Sequence, residues 1–573
     1  MIGDSQRSAD ALEKTFKVIL ITVIGLNLLV TFWGALSMPV DGDGRLYHAP
    51  RALYFIQNRS ILPVESATVQ MMALPYGTDL IFAGAVALTG SETAGKLAMW
   101  LAHPLLVLAV WGVLTLLGTA PLLRAALTAL VATAGLIPGL LLSLKPELYQ
   151  TVWVFGCLYC GLRARSAEES RRPVWLAVAA GLAVLSISAK PVSAPVMLLA
   201  GYWLIRERPQ LRKTCLYMSG AVVIAAIGSG LVFTAYYTWK WFGRPFSIGP
   251  MEAEIYRDPS LGRFGVHLFR FVVTLLNPLT PEAGGHLGMP WLTELSHWIE
   301  RLLASFASLI GMHRELPQET EGLWPGPFRY VAQGGAGNMG LFNIIGLGAV
   351  IWSLMSIRER PAPFHFQVSL VSAVSIALAL YLIRWQPGLT RILFFAVALW
   401  MIPFGALAAR CKAGIWVVVS LALIQGGGVL AGTVHYYRSY RIDGNPATAM
   451  FSLRPVASGL PGNARVLYMG SSVAYEYDLF GSDRKLFPWG RHVYSKSRLD
   501  GKLRETGADH VLLDNCARFP GMQHACPWKY DEFEAELESR DDWERVKVNV
   551  PPTPVADSPE NYLVLFRRRS LTE

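Results

Sequence analysis

Charge is scarce in this chain: Asp, Glu, Lys and Arg together make up 16% of its 573 residues, whereas 53% are hydrophobic. So little charge cannot cover the surface of a water-soluble protein of this length. The apolar residues instead gather into runs of about 18 to 25, long enough to cross the hydrocarbon layer as helices. Inside lipid the backbone must satisfy its own hydrogen bonds, which leaves helices as the natural form of these runs. A signal-peptide cleavage site is lacking too. No A-x-A sequence follows residues 18–37 before the next polar stretch, so the first run is expected to stay as an anchor. The sequence has no internal repeat, which speaks against a transporter built from inverted halves. It also has no basic stripe: the net charge is +10, but the lysines and arginines sit at the ends of apolar runs, where they report topology and not nucleic-acid binding.

What is there is a string of candidate spans at roughly 17–38, 94–118, 121–143, 146–163, 174–190, 191–206, 215–238, 338–357, 365–383, 390–409 and 413–434. These eleven place the two termini on opposite sides of the membrane. With the N-terminus cytoplasmic, the inner connections hold the basic groups around Arg163–Arg172, Arg206–Lys213, Arg358–Arg360 and Arg410–Lys412, while the short outer ones keep only Lys145, Lys190, Arg384 and Arg391. That is the positive-inside distribution, and it predicts an N-in, C-out chain. The run 73–90 is short and carries Asp79, so it is expected to lie along the outer interface as an amphipathic helix.

Two domains follow from this threading: a transmembrane domain over 1–440 with outer loops at 39–93 and 239–337, and an outer domain over 441–573. In the latter, "ARVLYMG", "DHVLLD" and "YLVLFRR" alternate like strands and "YDEFEAELESRDDWERV" is helical in pattern, which predicts a small α/β domain. Of the six cysteines, Cys516 and Cys526 lie within this domain, spaced so that a disulfide can close a small loop; that bond needs the oxidising side of the membrane. Two unpaired thiols are the alternative.

The threading brings charges together that are far apart in sequence. Asp43, Asp79, Lys145, Glu147, Lys190, Arg384 and Arg391 all fall at the outer ends of spans or on the interfacial run. Ionisable groups are costly near hydrocarbon unless paired or solvated, so such a collection marks a candidate site. Arginine and lysine suit a lipid-linked phosphate, and a carboxylate suits removal of a hydroxyl proton. Other uses of the same residues stay open: Asp43 or Glu147 as helix caps, Lys190 and Arg391 as snorkelling anchors, and His48 as a hydrogen-bonded interfacial residue, since no second His or Cys is near it to make a metal site.

Four stretches carry a family resemblance. "DGRLYHAPRALYFIQNRSILPV" resembles the first outer loop of GT-C membrane glycosyltransferases of the protein O-mannosyltransferase and lipid A aminoarabinose transferase type (bacterial family 39-like), with Asp43 as the family aspartate and Tyr47, His48, Pro50 and Arg51 in register. Asp41, in the same "DGDG", is its rival. "SLKPELYQ" gives Glu147, "ISAKPVSAP" gives Lys190, and "RWQPGLTR" gives Arg384, Gln386 and Arg391. The resemblance implies a polytopic helical GT-C fold with interfacial helices and a small C-terminal periplasmic α/β domain, in the bacterial inner membrane.

It further implies an inverting transfer of a sugar from a polyprenyl-phosphate donor to an acceptor hydroxyl at the periplasmic face. Asp43 would act as the base and Lys190, Arg384 and Arg391 would hold the donor phosphate. Tyr47, His48, Arg51, Glu147 and Gln386 would support them. The expected partners are the lipid-linked donor, a lipid, glycan or protein acceptor, and membrane lipids. No cofactor is required, although Asp43 and Glu147 offer oxygen ligands to a divalent cation. The interfacial run departs from the family, with "PYGTD" where the aminoarabinose transferase has a Glu-Lys pair. The competing readings are a flippase or transporter of lipid-linked saccharide, a ligase of whole glycans, and a sensor.

Overall fold

The computed structural model describes residues 2–40, 43–63, 66, 71–72, 74–207, 210–247, a few positions between 264 and 298, and then 342–356, 363–383, 389–443, 454–469, 479–480, 484–489, 496–514, 531–546 and 563–569. The chain divides into two compact units. One comprises Met1–Pro39, Lys96–Ser229 and Ala253–Ser439, and the other Val40–Gly95, Gly230–Glu252 and Tyr440–Glu573.

The first unit is helical. Among the described residues, six helices are long and apolar enough to cross a membrane: Asp10–Ser37, Glu92–Leu116, Arg172–Ala189, Leu211–Gly228, Phe364–Leu382 and Lys412–Val434. This is a multi-pass membrane protein. The helix Glu147–Ser166 covers the span expected at 146–163. Small side chains let neighbours approach closely: Arg172–Ala189 packs against both Glu147–Ser166 and Leu211–Gly228, its Ala179, Ala180, Gly181 and Ala183 are buried, and Gly181 lies against Ala221 of Leu211–Gly228. At Gly161 a Cβ would stand 2.1 Å from the fully buried ring of Trp203, so only glycine fits there.

Several expected spans are broken. The run 121–143 is two helices, Pro121–Ala132 and Ile137–Leu142. The carbonyls freed at the break find side-chain donors. Gln425 Nε2 donates to Leu130 O at 2.7 Å and Thr133 O at 3.1 Å, and His103 Nε2 bonds Ala132 O at 2.9 Å. A break inside lipid survives because neighbouring helices re-satisfy the backbone. The run 390–409 is likewise in pieces, Leu389–Ile392, Phe394–Ala398 and Met401–Ala408, and 191–206 opens with a 3₁₀ turn at Pro191–Ser193 before the helix Val196–Glu207.

The run 215–238 was expected to be one helix and is two, Leu211–Gly228 and Leu231–Phe242. Hydropathy is continuous across the junction, but Gly230 takes φ +73°, a left-handed conformation that ends a helix. A Cβ at this glycine would also meet the Tyr76 ring at 2.1 Å. Leu231–Phe242 belongs to the second unit.

The second unit is built on a five-stranded sheet of β1 (Arg465–Met469), β2 (Lys485–Pro488), β3 (His510–Asp514), β4 (Trp543–Val546) and β5 (Leu563–Arg568), in the order β2-β1-β3-β5-β4. β1 runs parallel to β2 and β3, while β5 pairs antiparallel with β3 and β4. The strands expected from alternation are β1, β3 and β5. The stretch read as one helix is the helix Asp531–Glu538 followed by β4, because Trp543 and Val546 leave the helical spacing and pair with β5.

Alternation sends side chains to two cores. Leu467, Met469, Val511, Leu513 and Phe566 pack with Leu499, Phe533 and Leu537 on one face. Val466, Tyr468, Leu486, Leu512 and Leu565 pack on the other, where the covering residues include Tyr47, Tyr54 and Met71 from the first polar loop. A parallel-centred sheet needs both faces covered, and the loop supplies one cover. The edge strand is closed by a side chain. Gln57 Nε2 donates to Leu486 O at 2.8 Å, and Gln57 Oε1 accepts from Leu486 N at 2.9 Å, as a neighbouring strand would.

Gln57→Ala leaves both backbone groups of the buried Leu486 unpaired and is expected to cost about 1–3 kcal/mol, seen as a lower melting temperature of the purified protein in detergent. Exposed Asn58→Ala should stay within about 0.5 kcal/mol of wild type. Equal effects of the two would remove Gln57 from this role.

Candidate functional site

In the second unit the polar stretch after the first span coils into a π-helical turn, Gly44–His48, which passes into the helix Ala49–Asn58. Pro50 falls in the first turn of that helix, where its missing N–H costs nothing. Asp43 sits at the N-cap position but makes no side-chain capping bond. Its Oδ2 instead accepts from the Tyr47 hydroxyl at 3.2 Å. Single π turns recur at functional sites, and this one carries the expected base. The Tyr47 ring lies against His48, with centroids 4.3 Å apart.

His48 and Arg51 turn inward to Asp79, a residue that the sequence left without a partner. His48 Nδ1 is 2.7 Å from Asp79 Oδ1, and Arg51 Nε donates to Asp79 Oδ2 at 2.6 Å while Nη2 pairs with the same oxygen. Arg51 Nη1 also donates to Leu74 O at 2.8 Å, and the guanidinium lies over the Tyr76 ring. All three side chains are buried. Burial alone would raise the Asp79 carboxyl, but Arg51 first and His48 second overcome it and hold the group below the usual carboxylate range. Asp79 opens the helix Asp79–Thr89, shorter than the interfacial run predicted over 73–90. Its buried positions Asp79, Phe82 and Ala83 share one face, and Leu88 is exposed.

In the first unit, Glu147, Lys190 and Arg391 meet. Glu147 is the first residue of Glu147–Ser166; Pro146, not Glu147, stands at the cap. Lys190 ends Arg172–Ala189 in an extended conformation, φ −153° and ψ 125°, as the residue before Pro191 must. Its carbonyl accepts from Gln150 Nε2 at 3.2 Å and Ser193 Oγ at 3.0 Å. Arg391 comes from the short helix Leu389–Ile392.

Lys190 Nζ lies 3.4 Å and Arg391 Nε 3.2 Å from the same oxygen, Glu147 Oε1. The Glu147 side chain has no exposed surface, whereas Lys190 and Arg391 retain 17% and 18%; the carboxylate is the inner anchor and the cations face outward from it. These ion pairs are long, and neither Glu147 oxygen has a hydrogen-bonding partner among the described residues. A buried carboxylate left in that state holds its cations by charge alone. Lys145, buried two residues before it, adds a further positive group to this stretch. Two cations set side by side, partly open, are the chemistry that recognises an anionic oxygen group such as phosphate.

Other predicted residues lie outside the described residues: Asp41, Arg384, Gln386, Cys516 and Cys526. The residue missed from sequence is Asp79's role as the partner of His48 and Arg51. The signal was present as an acid beginning an apolar helix after a His-x-x-Arg pair, but nothing in linear spacing joins the two. Among the described residues, no group of three or more His, Cys, Asp or Glu is placed to hold a metal ion.

No family model matches the chain, and no curated protein matches it. Among the solved structures similar to it are three of known identity. ArnT from Cupriavidus metallidurans bound to undecaprenyl phosphate is 12% identical, over 96% of this chain and 98% of its own, with a TM-score of 0.47. The archaeal oligosaccharyltransferase AglB from Archaeoglobus fulgidus, in complex with an inhibitory peptide and a dolichol-phosphate, is 10% identical over 93% of this chain and 73% of its own, at 0.41. The arabinofuranosyltransferase AftD from Mycobacteria is 13% identical over 96% of this chain, which spans 40% of that protein, at 0.38.

Because its native pKa is depressed, the Asp79 pairing stabilises fully above the unfolded carboxyl value of about 4 and is lost as pH falls through the lower native value. Arg51→Ala strands a buried carboxylate and is expected to cost about 3–5 kcal/mol at pH 7. Thermal unfolding of wild type and variant at pH 7 and near pH 3 should show the gap narrowing in acid. A gap independent of pH would contradict the pairing.

Proposed function

We propose that this protein is an inverting glycosyltransferase of the bacterial inner membrane that moves a sugar from a polyprenyl-phosphate donor to an acceptor hydroxyl at the periplasmic face. The observation that carries this reading is the pair of cations, Lys190 and Arg391, converging on the wholly buried Glu147. An inverting displacement needs charge neutralisation where phosphate departs and a base where the acceptor hydroxyl attacks. Lys190 and Arg391 take the first role, with Arg384 from the same R-W-Q-P-x-x-x-R stretch. Lysine supplies a point charge and arginine a planar fork, a combination that follows negative charge as it grows on the leaving oxygen.

Asp43 takes the second role. Its carboxylate is oriented by the Tyr47 hydroxyl and is only partly buried, so it is anchored yet reachable by substrate. The O–H bond of the acceptor breaks toward Asp43 as the new bond forms at the anomeric carbon, and the bond to phosphate oxygen breaks with its electrons left on the lipid phosphate. The N-in, C-out threading supports a periplasmic location for this chemistry and for the small α/β domain. The sugar is a hexose or pentose. The reaction requires no cofactor.

Asp43→Asn keeps the volume and removes the basic oxygen. With a panel of short-chain polyprenyl-phosphate sugars, transfer should fall by about 100-fold or more, with an unchanged melting temperature. Activity near wild type would take the base role away from Asp43.

A further inference from the structure

In the first unit, five cations near span ends lie over an aromatic ring: Arg124 over Trp111, Arg163 over Tyr159, Arg206 over Tyr202, Lys213 over Tyr217 and Arg410 over Trp352. All of them fall on the side that the N-in threading assigns to the cytoplasm. A ring face orients a guanidinium without neutralising it, and the N–H donors at its edge stay available. Three of these arginines also spend a donor on a hydroxyl: Arg124 Nη1 on Thr115 Oγ1 at 2.6 Å, Arg163 Nε on Tyr159 Oη at 3.1 Å and Arg206 Nη1 on Tyr202 Oη at 2.9 Å. Arg410 is different. Among the described residues its exposed side chain donates no hydrogen bond and meets no carboxylate; what holds it is the Trp352 ring, whose centroid is 4.5 Å from Cζ.

The place is built where helices pack pairwise. Phe342–Met355 brings Trp352, Phe364–Leu382 brings His365, and Arg410 follows the end of Met401–Ala408. The His365 ring stacks on Trp352 with centroids 4.9 Å apart, and its Nδ1 lies 2.8 Å from Ser353 Oγ. Trp352 is thereby fixed, and the guanidinium with it. Lys412, also exposed and without a carboxylate among the described residues, stands two positions further on. On the apolar side, Ile351 and Met355 flank Trp352 in sequence one turn apart, 54% and 74% exposed. An apolar stripe that ends in an open fork of donors matches a phospholipid, acyl chain first and phosphodiester after it.

We infer that Arg410 and Trp352 form a head-group site for an anionic phospholipid of the cytoplasmic leaflet, the guanidinium bonding the phosphodiester while Ile351 and Met355 pack against an acyl chain. Anionic lipid gathers where basic side chains line a membrane surface. A zwitterionic lipid would bring its own ammonium toward Arg410 and Lys412, and free phosphate would leave the apolar stripe uncovered. The site uses none of Glu147, Lys190 and Arg391, and it does not rest on the glycosyltransferase reading.

The test titrates the full chain in dodecyl maltoside with dioleoylphosphatidylglycerol and reads bound lipid by native mass spectrometry. Phosphatidylglycerol should bind more tightly than dioleoylphosphatidylcholine, and inorganic phosphate at the same concentration should not displace it. Arg410→Gln should weaken phosphatidylglycerol binding about tenfold, the worth of a charge-assisted hydrogen bond, with an unchanged melting temperature because the side chain is exposed. Arg410→Lys keeps the charge without the fork, and Trp352→Leu removes the ring that orients it; each should lose part of the affinity. Arg163→Gln, which removes a guanidinium already bonded to a hydroxyl, and Arg391→Met should leave it nearly unchanged.

Equal losses in Arg410→Gln and Arg163→Gln would mark a diffuse basic surface and overturn the site. Equal binding of the two lipids, or displacement by inorganic phosphate, would overturn the assignment to an anionic lipid. A loss confined to Arg391→Met would place the lipid beside Glu147 and overturn the inference as well.

Discussion

A carboxylate without exposed surface has to be matched by positive charge, and Glu147 is matched by two side chains from distant parts of the chain. Lys190 arrives from the end of one helix and Arg391 from a short helix about two hundred residues later, and both point at one oxygen. Desolvation makes the inner group dependent on its partners, while the partners, still partly open, keep charge to offer elsewhere. Lys190 can leave its helix because Pro191 stops it, and its carbonyl is taken up by Gln150 and Ser193.

The second unit repeats the logic with the signs reversed. Arg51 is the buried cation, satisfied by Asp79 and by backbone carbonyls of the following loop. This pins the helix Ala49–Asn58 to Asp79–Thr89 and holds the π turn that carries Asp43, while the same helix covers one face of the sheet and closes its edge through Gln57. The first polar loop is therefore part of a folded body with the C-terminal strands. Positioning of Asp43 and stability of the sheet share the same contacts.

Much of this was legible in the residues. Apolar run length gave the helices Asp10–Ser37, Arg172–Ala189, Phe364–Leu382 and Lys412–Val434, because hydrophobic thickness is a hard constraint on sequence. Alternation gave β1, β3 and β5. Listing the ionisable residues at span ends was enough to collect Glu147, Lys190 and Arg391. What escaped was local backbone geometry and tertiary pairing. A run of apolar residues does not show that Gly230 turns left-handed against Tyr76, nor that 133–136 is non-helical because Gln425 and His103 stand ready to bond it. The Asp79 partnership escaped for the same reason: its members are 28 and 31 residues apart, and no periodicity links them. The short strands β2 and β4 lacked enough alternating residues to stand out from their neighbours.

The central claim is that Lys190 and Arg391 act as one anion-binding unit organised by Glu147. A double-mutant cycle with Lys190→Met, Arg391→Met and the pair, measuring the affinity of farnesyl phosphate for the purified protein, tests it most directly. The account predicts that each single variant loses most of the binding and that the double variant loses little more, a coupling of about 0.5–3 kcal/mol. Strictly additive losses, or phosphate affinity unchanged in both single variants, would contradict it.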